Sequence, residues 1–210
     1  MTITYQVKQS IYVNLTNRCP CACRFCLRNN ASGVFGSGPL WLEREPTLDE
    51  VVASLEGWDY TRFREVVFCG YGEPTERLDV LLAAAAHLKQ RDASLRVRVN
   101  TNGLSDLING KPTATLFAGK VDCLSISLNT DDPAEYVAMC RPKFGDAAYP
   151  ALLKFTKEAA AVVPEVVMTV VDQPVTDIEK QTRCRAIAEG LGARLRIRPY
   201  EAPPKKSAAE

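Results

Sequence analysis

The run Ile11-Tyr12-Val13-Asn14-Leu15-Thr16 leads straight into Asn17-Arg18-Cys19-Pro20-Cys21-Ala22-Cys23-Arg24-Phe25-Cys26, so a strand-like segment ends in a cysteine-dense loop. The same strand-type pattern returns at REVVFC (64–69), LRVRV (95–99), DCLSISL (122–128), EVVMTVV (165–171) and RLRIRP (194–199), each rich in β-branched residues or in apolar residues at alternate positions. Helical stretches separate these runs. Thr47-Leu48-Asp49-Glu50 reads as a capping box, in which the Thr hydroxyl and the Glu carboxylate satisfy free backbone N–H groups. That helix is predicted to reach about Leu55. A second, over 76–90, contains the strong helix formers LLAAAAHLKQ. Further helical pieces are expected over 113–118, 133–139, 148–162 and 175–189, the last stopping before Gly190 and Gly192.

Strands that alternate with helices imply parallel βαβ units, because parallel neighbours need a crossover connection. Six such units fall short of the roughly 250 residues of an eight-unit barrel. The expected fold class is therefore α/β, a partial (βα)6 TIM-like barrel with parallel strands; a doubly wound sheet is the alternative. Both architectures gather functional residues at the C-terminal ends of the strands.

Composition narrows the function classes. The 210 residues are 46% apolar and 24% charged, ordinary values for a globular chain. Twenty-six Lys and Arg against 25 Asp and Glu offer no electrostatic reason to expect nucleic acid. No apolar run approaches the roughly 18–20 residues of a membrane span. The start MTITYQVKQS lacks the apolar stretch of a secretory signal, so a cytoplasmic location is expected. The expected organisation is one core domain over 1–200 and a flexible tail over 201–210.

Eight cysteines in a reducing compartment point to metal, redox chemistry or packing rather than disulfides. Cys69, Cys123, Cys140 and Cys184 stand singly in strand-like or helix-like runs and are expected as small hydrophobes. Cys19, Cys23 and Cys26 form a CxxxCxxC set. Three thiolates on a short loop can hold three irons of a 4Fe–4S cluster and leave the fourth open to a small molecule. Structural zinc wants four ligands, commonly as two CxxC pairs. No second pair occurs, and the sole histidine, His87, lies in the Ala-rich helix. Cys21 could enter the ligand set in place of a neighbour as CxCxxC. Gly70-Tyr71-Gly72 after the second run does not make a dinucleotide loop, because Pro74 interrupts it and Thr75 holds the third glycine position.

With these motifs in order, the chain resembles the radical S-adenosylmethionine (SAM) superfamily over about residues 11–200. The CxxxCxxC loop with Phe25 before its last cysteine is similar to that family's signature, and Gly70-Tyr71-Gly72-Glu73-Pro74 is similar to its GGEP motif. Asn100-Thr101-Asn102-Gly103 and Ser125-Ile126-Ser127-Leu128-Asn129 are similar to the segments that follow. Tyr71 replaces the usual second Gly, Asn129 stands where Asp is common, and the glycines of the fifth-strand motif are missing. The resemblance implies that Cys19, Cys23 and Cys26 bind the cluster and that Cys21 does not. It also implies a SAM site drawn from Phe25, Gly70, Gly72, Glu73, Pro74, Thr101, Asn102, Ser127 and Asn129, with Arg141 as a donor to the SAM carboxylate. Thr101 and Asn102 could alternatively serve only as a turn, since Asn-Gly is a turn signal. Arg196 and Arg198 alternate with apolar residues and share one face, which would meet an anionic substrate if turned inward.

The implied activity is that of an oxygen-sensitive enzyme that reductively cleaves SAM to a 5′-deoxyadenosyl radical for hydrogen abstraction. A flavodoxin- or ferredoxin-type electron donor is implied as partner. The run NLTNRCPCACRFCLRN (14–29) is most similar to the small radical SAM proteins associated with TatD-type nucleases. A glycyl-radical-enzyme activase and a non-catalytic iron–sulfur protein are the alternatives. The Gly-, Asn- and Ser-rich stretch 27–46 is expected as a long loop that closes the site.

Overall fold

In a computed structural model of the chain, which describes residues 1–29, 33 and 36–200, seven strands form one sheet in strict chain order. They are β1 (Thr4–Val7), β2 (Ser10–Val13), β3 (Glu65–Phe68), β4 (Arg96–Thr101), β5 (Cys123–Ser127), β6 (Glu165–Val171) and β7 (Arg194–Arg198). The six strands β2–β7 are all parallel, as expected. Because the strand order never reverses, there is no switch point of the doubly wound kind, and the sheet curls as an open barrel instead. The unforeseen β1 pairs antiparallel with β2 through a tight turn in which Lys8 takes φ +53°.

Six α-helices fill the crossovers: α1 (Leu48–Glu56), α2 (Leu78–Arg91), α3 (Ser105–Asn109), α4 (Pro133–Cys140), α5 (Ala148–Ala160) and α6 (Ile178–Gly190). The Thr47 capping box forms, with Thr47 N–H donating to Glu50 Oε2 at 2.9 Å. Three expectations shift. The second helix begins as a 3-10 turn at Pro74–Arg77, because Pro74 suits a first helical position. The piece expected over 113–118 is a 3-10 turn, Ala114–Phe117. The last helix includes Gly190, and Gly192 takes the left-handed conformation beyond it.

Strand residues alternate between two environments. Val13, Val66, Phe68, Val97, Val99, Leu124, Ile126, Met168 and Val170 are buried against Leu55, Leu81, Leu88, Leu152 and Phe155 of the helices. The opposite, concave face carries Tyr12, Asn100, Ser125, Ser127, Thr169, Arg196 and Arg198, which line a cavity. The convex face therefore supplies the hydrophobic drive for folding, and the concave face is left to polar chemistry. Among the described residues no helix is long and apolar enough to cross a membrane. The expected tail over 201–210 and positions 30–32, 34 and 35 of the expected loop lie outside the described residues.

Candidate functional site

At the C-terminal ends of β2–β7 one cavity of about 270 Å³ brings the strand-end segments together. Cys19, Cys23 and Cys26 line it from the loop after β2, joined there by Cys21, Phe25 and Arg28. Backbone bonds fasten that loop to the end of α4: Ala22 N–H donates to Cys140 O (3.0 Å), Arg24 N–H to Met139 O (3.0 Å), and Lys143 N–H to Pro20 O (2.8 Å). Within the loop, Arg28 Nη2 donates to Cys21 O at 3.1 Å.

The thiols differ in character. Hydrogen bonds with Cys140 and then Cys21 hold the Cys23 thiol well below its ordinary range, against the effect of burial. Cys21 does the same for Cys19. Burial pushes Cys26 up. Cys21 and Cys140, as donors to these partners, are themselves held up. Thiolate is the ligating form, so Cys21 and Cys140 favour that form in two of the three thiols of the spacing motif. Among the described residues no three Cys, His, Asp or Glu side chains converge on the position of a single ion. The three thiols face a shared cavity instead, and an all-thiol, partly buried donor set on a fastened loop fits a 4Fe–4S cluster.

The segment after β3 crosses close to the end of β2. A Cβ on Gly70 would lie 2.0 Å from Asn14 Oδ1, and one on Gly72 only 2.2 Å from the Thr16 carbonyl oxygen. Both glycines also line the cavity. Tyr71, in place of a glycine, is buried edge-on against Trp41 with ring centroids 5.2 Å apart.

Glu73 is 4% exposed, and its carboxylate sits among donors. Oε1 accepts from Thr101 Oγ1 (2.7 Å), Thr75 Oγ1 (2.9 Å) and Thr75 N–H (3.2 Å), and Oε2 accepts from Asn102 N–H (2.7 Å). Burial nevertheless outweighs these bonds and pushes the carboxyl above its usual range. Thr101 and Asn102 form both a turn and a clamp. Asn102 Oδ1 accepts from Leu104 N–H at 2.9 Å, and Gly103 at φ +78° leaves a space that a Cβ would close against Leu152. Pro74 is buried at the start of its 3-10 turn and is not among the residues lining the cavity.

Beyond β5, Ser127 and Asn129 both line the cavity. Asn129 is held at φ +67°, donates from Nδ2 to Cys140 Sγ at 3.3 Å, and keeps Oδ1 buried without a partner. An orphan acceptor and a fixed carboxylate that line one cavity fit a ligand that carries an ammonium or hydroxyl group, and SAM carries both. Arg141 is the left-handed cap of α4; it is exposed and is not on the cavity wall. The cavity's guanidinium groups come from Arg28, Arg196 and Arg198. Cys140 and Cys69, expected as packing residues, also line it. No spacing signal could have found Cys140, which reaches Cys23 only through the packing of α4.

A family model described as the radical SAM superfamily matches residues 13–182. The dual-specificity RNA methyltransferase RlmN of Sulfurimonas denitrificans is 31% identical over an alignment of 117 residues that covers 51% of this chain and 30% of that protein. Streptococcus suis SuiB bound to precursor peptide SuiA superposes with a TM-score of 0.69 at 17% identity, over 92% of this chain and 39% of that one. A radical SAM methyltransferase from Sphaerobacter thermophilus gives 0.61 at 18% identity, over 97% and 60%. The hydrogenase maturase HydG from Carboxydothermus hydrogenoformans gives 0.60 at 15% identity, over 92% and 44%. At these identities the structures show a shared fold, and the chain spans less than two thirds of the length of each of these proteins.

Proposed function

The chain belongs to the radical SAM superfamily, an enzyme family that uses a 4Fe–4S cluster and SAM. From that premise we propose that Cys19, Cys23 and Cys26 hold the cluster, and that Glu73, with Gly70, Gly72, Ser127 and Asn129, holds SAM for hydrogen abstraction from a substrate. The observation that carries this reading is the convergence on one cavity of three loop thiols, the clamped Glu73 carboxylate and the orphan Asn129 oxygen. Cluster and SAM together supply one-electron cleavage of the sulfonium bond, giving methionine and a 5′-deoxyadenosyl radical.

The chain's own groups do the positioning. Thr75, Thr101 and Asn102 fix the Glu73 carboxylate and leave Oε2 with one protein donor, free to accept from a ligand ammonium. Asn129 Oδ1 offers a second acceptor on the next wall. Pro74 serves by starting the 3-10 turn behind Glu73, and Thr101 and Asn102 act through that carboxylate. Phe25 and Tyr136 add aromatic surface to the lining of the cavity. Arg141, exposed on α4, has no part in this version of the site.

The reading extends to a core domain over 1–200, a flavodoxin- or ferredoxin-type donor and a reducing compartment; the eight unpaired cysteines support the last. The run 14–29 supports placing the chain among the small TatD-associated members. The test is anaerobic reconstitution, reduction with dithionite and measurement of 5′-deoxyadenosine from added SAM. Formation of 5′-deoxyadenosine is expected. A reconstituted cluster whose signal SAM does not perturb, with no cleavage, would leave only an iron–sulfur protein.

A further inference from the structure

β7 brings two arginines onto the concave face at alternate positions, Arg196 opposite Thr169 and Arg198 opposite Val171 of β6. Arg196 Nη2 donates to Ser125 Oγ at 3.0 Å. The Nε atoms of both arginines are buried and have no partner among the described residues. Their inward neighbour Arg98 is matched by Glu65, and Arg96 and Arg194 are matched by Glu165, all at the opposite end of the strands. Glu73, the carboxylate on the cavity wall, accepts from Thr75, Thr101 and Asn102, and in the proposed site its Oε2 also meets the SAM ammonium. Among the described residues no carboxylate lies within ion-pair distance of Arg196 or Arg198.

Two like charges held side by side with open donors in a partly desolvated cavity are unfavourable until an anion joins them. Burial, then Arg98 and Arg198, weaken the hold of Arg196 on its proton, which is the same strain seen from the titrating group. Guanidinium forks match carboxylate and phosphate oxygens in pairs. We propose that Arg196 and Arg198, with Ser125 beside them, anchor an anionic group, carboxylate or phosphate, of the substrate at the β7 side of the cavity. This rests on the cavity being the active site. It leaves the ends of β3 and β4 and the Ser127–Asn129 end of β5 to SAM, with Thr169 and Val171 of β6 also on the cavity wall. Burial weakens the hold of Arg198 on its proton, and Cys69, then Cys23 and Cys26, oppose that, so the thiols are the competing counter-charge.

The experiment uses the reconstituted chain with SAM and measures equilibrium dialysis of labelled inorganic phosphate and, separately, of labelled malonate. Saturable binding of at least one probe is expected, weakened about tenfold or more in both Arg196→Gln and Arg198→Gln. Arg198→Lys should keep the charge but lose part of the affinity, because it lacks the planar fork. Iron content and the SAM-perturbed cluster signal should stay unchanged in folded variants, and the anion-free melting temperature should not fall, because each Gln variant removes one of two like charges. Preference for phosphate or for malonate names the anion. Absence of saturable binding in the unmodified chain, or equal binding in the variants, overturns the proposal. So does loss of the cluster or of the SAM-perturbed signal in the variants, which would assign the arginines to the cofactors. If 5′-deoxyadenosine never forms while arginine-dependent anion binding persists, the radical reading falls and the anion site stands.

Discussion

At the N-terminal ends of the strands Arg98 grips Glu65 at 2.7 and 3.1 Å, and Arg96 and Arg194 close on Glu165 from both sides. At the opposite ends, among the described residues, Arg196 and Arg198 meet no carboxylate, Asn129 keeps an unpartnered oxygen, and three half-buried thiols face a cavity. The same strands thus carry a finished end and an unfinished one. An end whose charges satisfy one another contributes to stability. An end that leaves polar groups waiting is complete only when ligands arrive, and a chain tolerates that cost where function requires it.

The sharpest break of this contrast is Cys26→Ala. Iron and sulfide should fall to background after reconstitution, while Cys21→Ala should retain them; the reverse pattern would exchange the ligand roles. Next, Glu73→Ala should weaken SAM binding about 10- to 100-fold, the range of a charge-assisted hydrogen bond, in protein shown to be folded by circular dichroism. Unchanged affinity would place the SAM ammonium elsewhere. Gly72→Ala forces a Cβ to within 2.2 and 2.6 Å of the Thr16 and Arg18 carbonyl oxygens, which are backbone atoms of the cluster loop. A loss of about 1–3 kcal/mol in urea unfolding is expected, together with poorer cluster retention.

The smallest effect belongs to the finished end. Burial opposes ionisation of Glu165, but hydrogen bonds from Arg194 and Arg96 prevail and lower its carboxyl from 4.5 to about 2. A carboxyl depressed on folding contributes stability above its ordinary value and loses it as pH falls through the folded one. Unfolding midpoints should decline from about pH 4.5 toward pH 2 and decline less in Glu165→Gln. Parallel curves would mean that the ion pair is screened out.

Much of this contrast was legible in the residues themselves. The alternation of strands and helices, the cluster loop and the GEP turn are short-range signals, whereas the order of the strands in the sheet, which decides between barrel and doubly wound sheet, is set only by folding. β1 was hidden because Thr4–Val7 is four residues long and mixes polar with apolar side chains, with its pairing set by the neighbouring strand. α3 is only five residues and is ended by left-handed Gly110, too short for a helical period to show. Cys140 looked like a packing residue because its partner Cys23 is 117 positions away, a distance that only folding closes. Arg141 looked like a ligand donor, but its place as the left-handed cap of α4 leaves the side chain exposed.

The fastening of the cluster loop to α4 bears on which sequences could occupy it. Ala22 and Arg24 take part through their N–H groups and Pro20 through its carbonyl, so none of these three bonds reads a side chain. Ala22 and Arg24, both exposed, are therefore free to vary in size and charge, provided that they keep an N–H. Proline is the residue that fails there, since it has none to give. Position 20, which only accepts, can hold the proline it has.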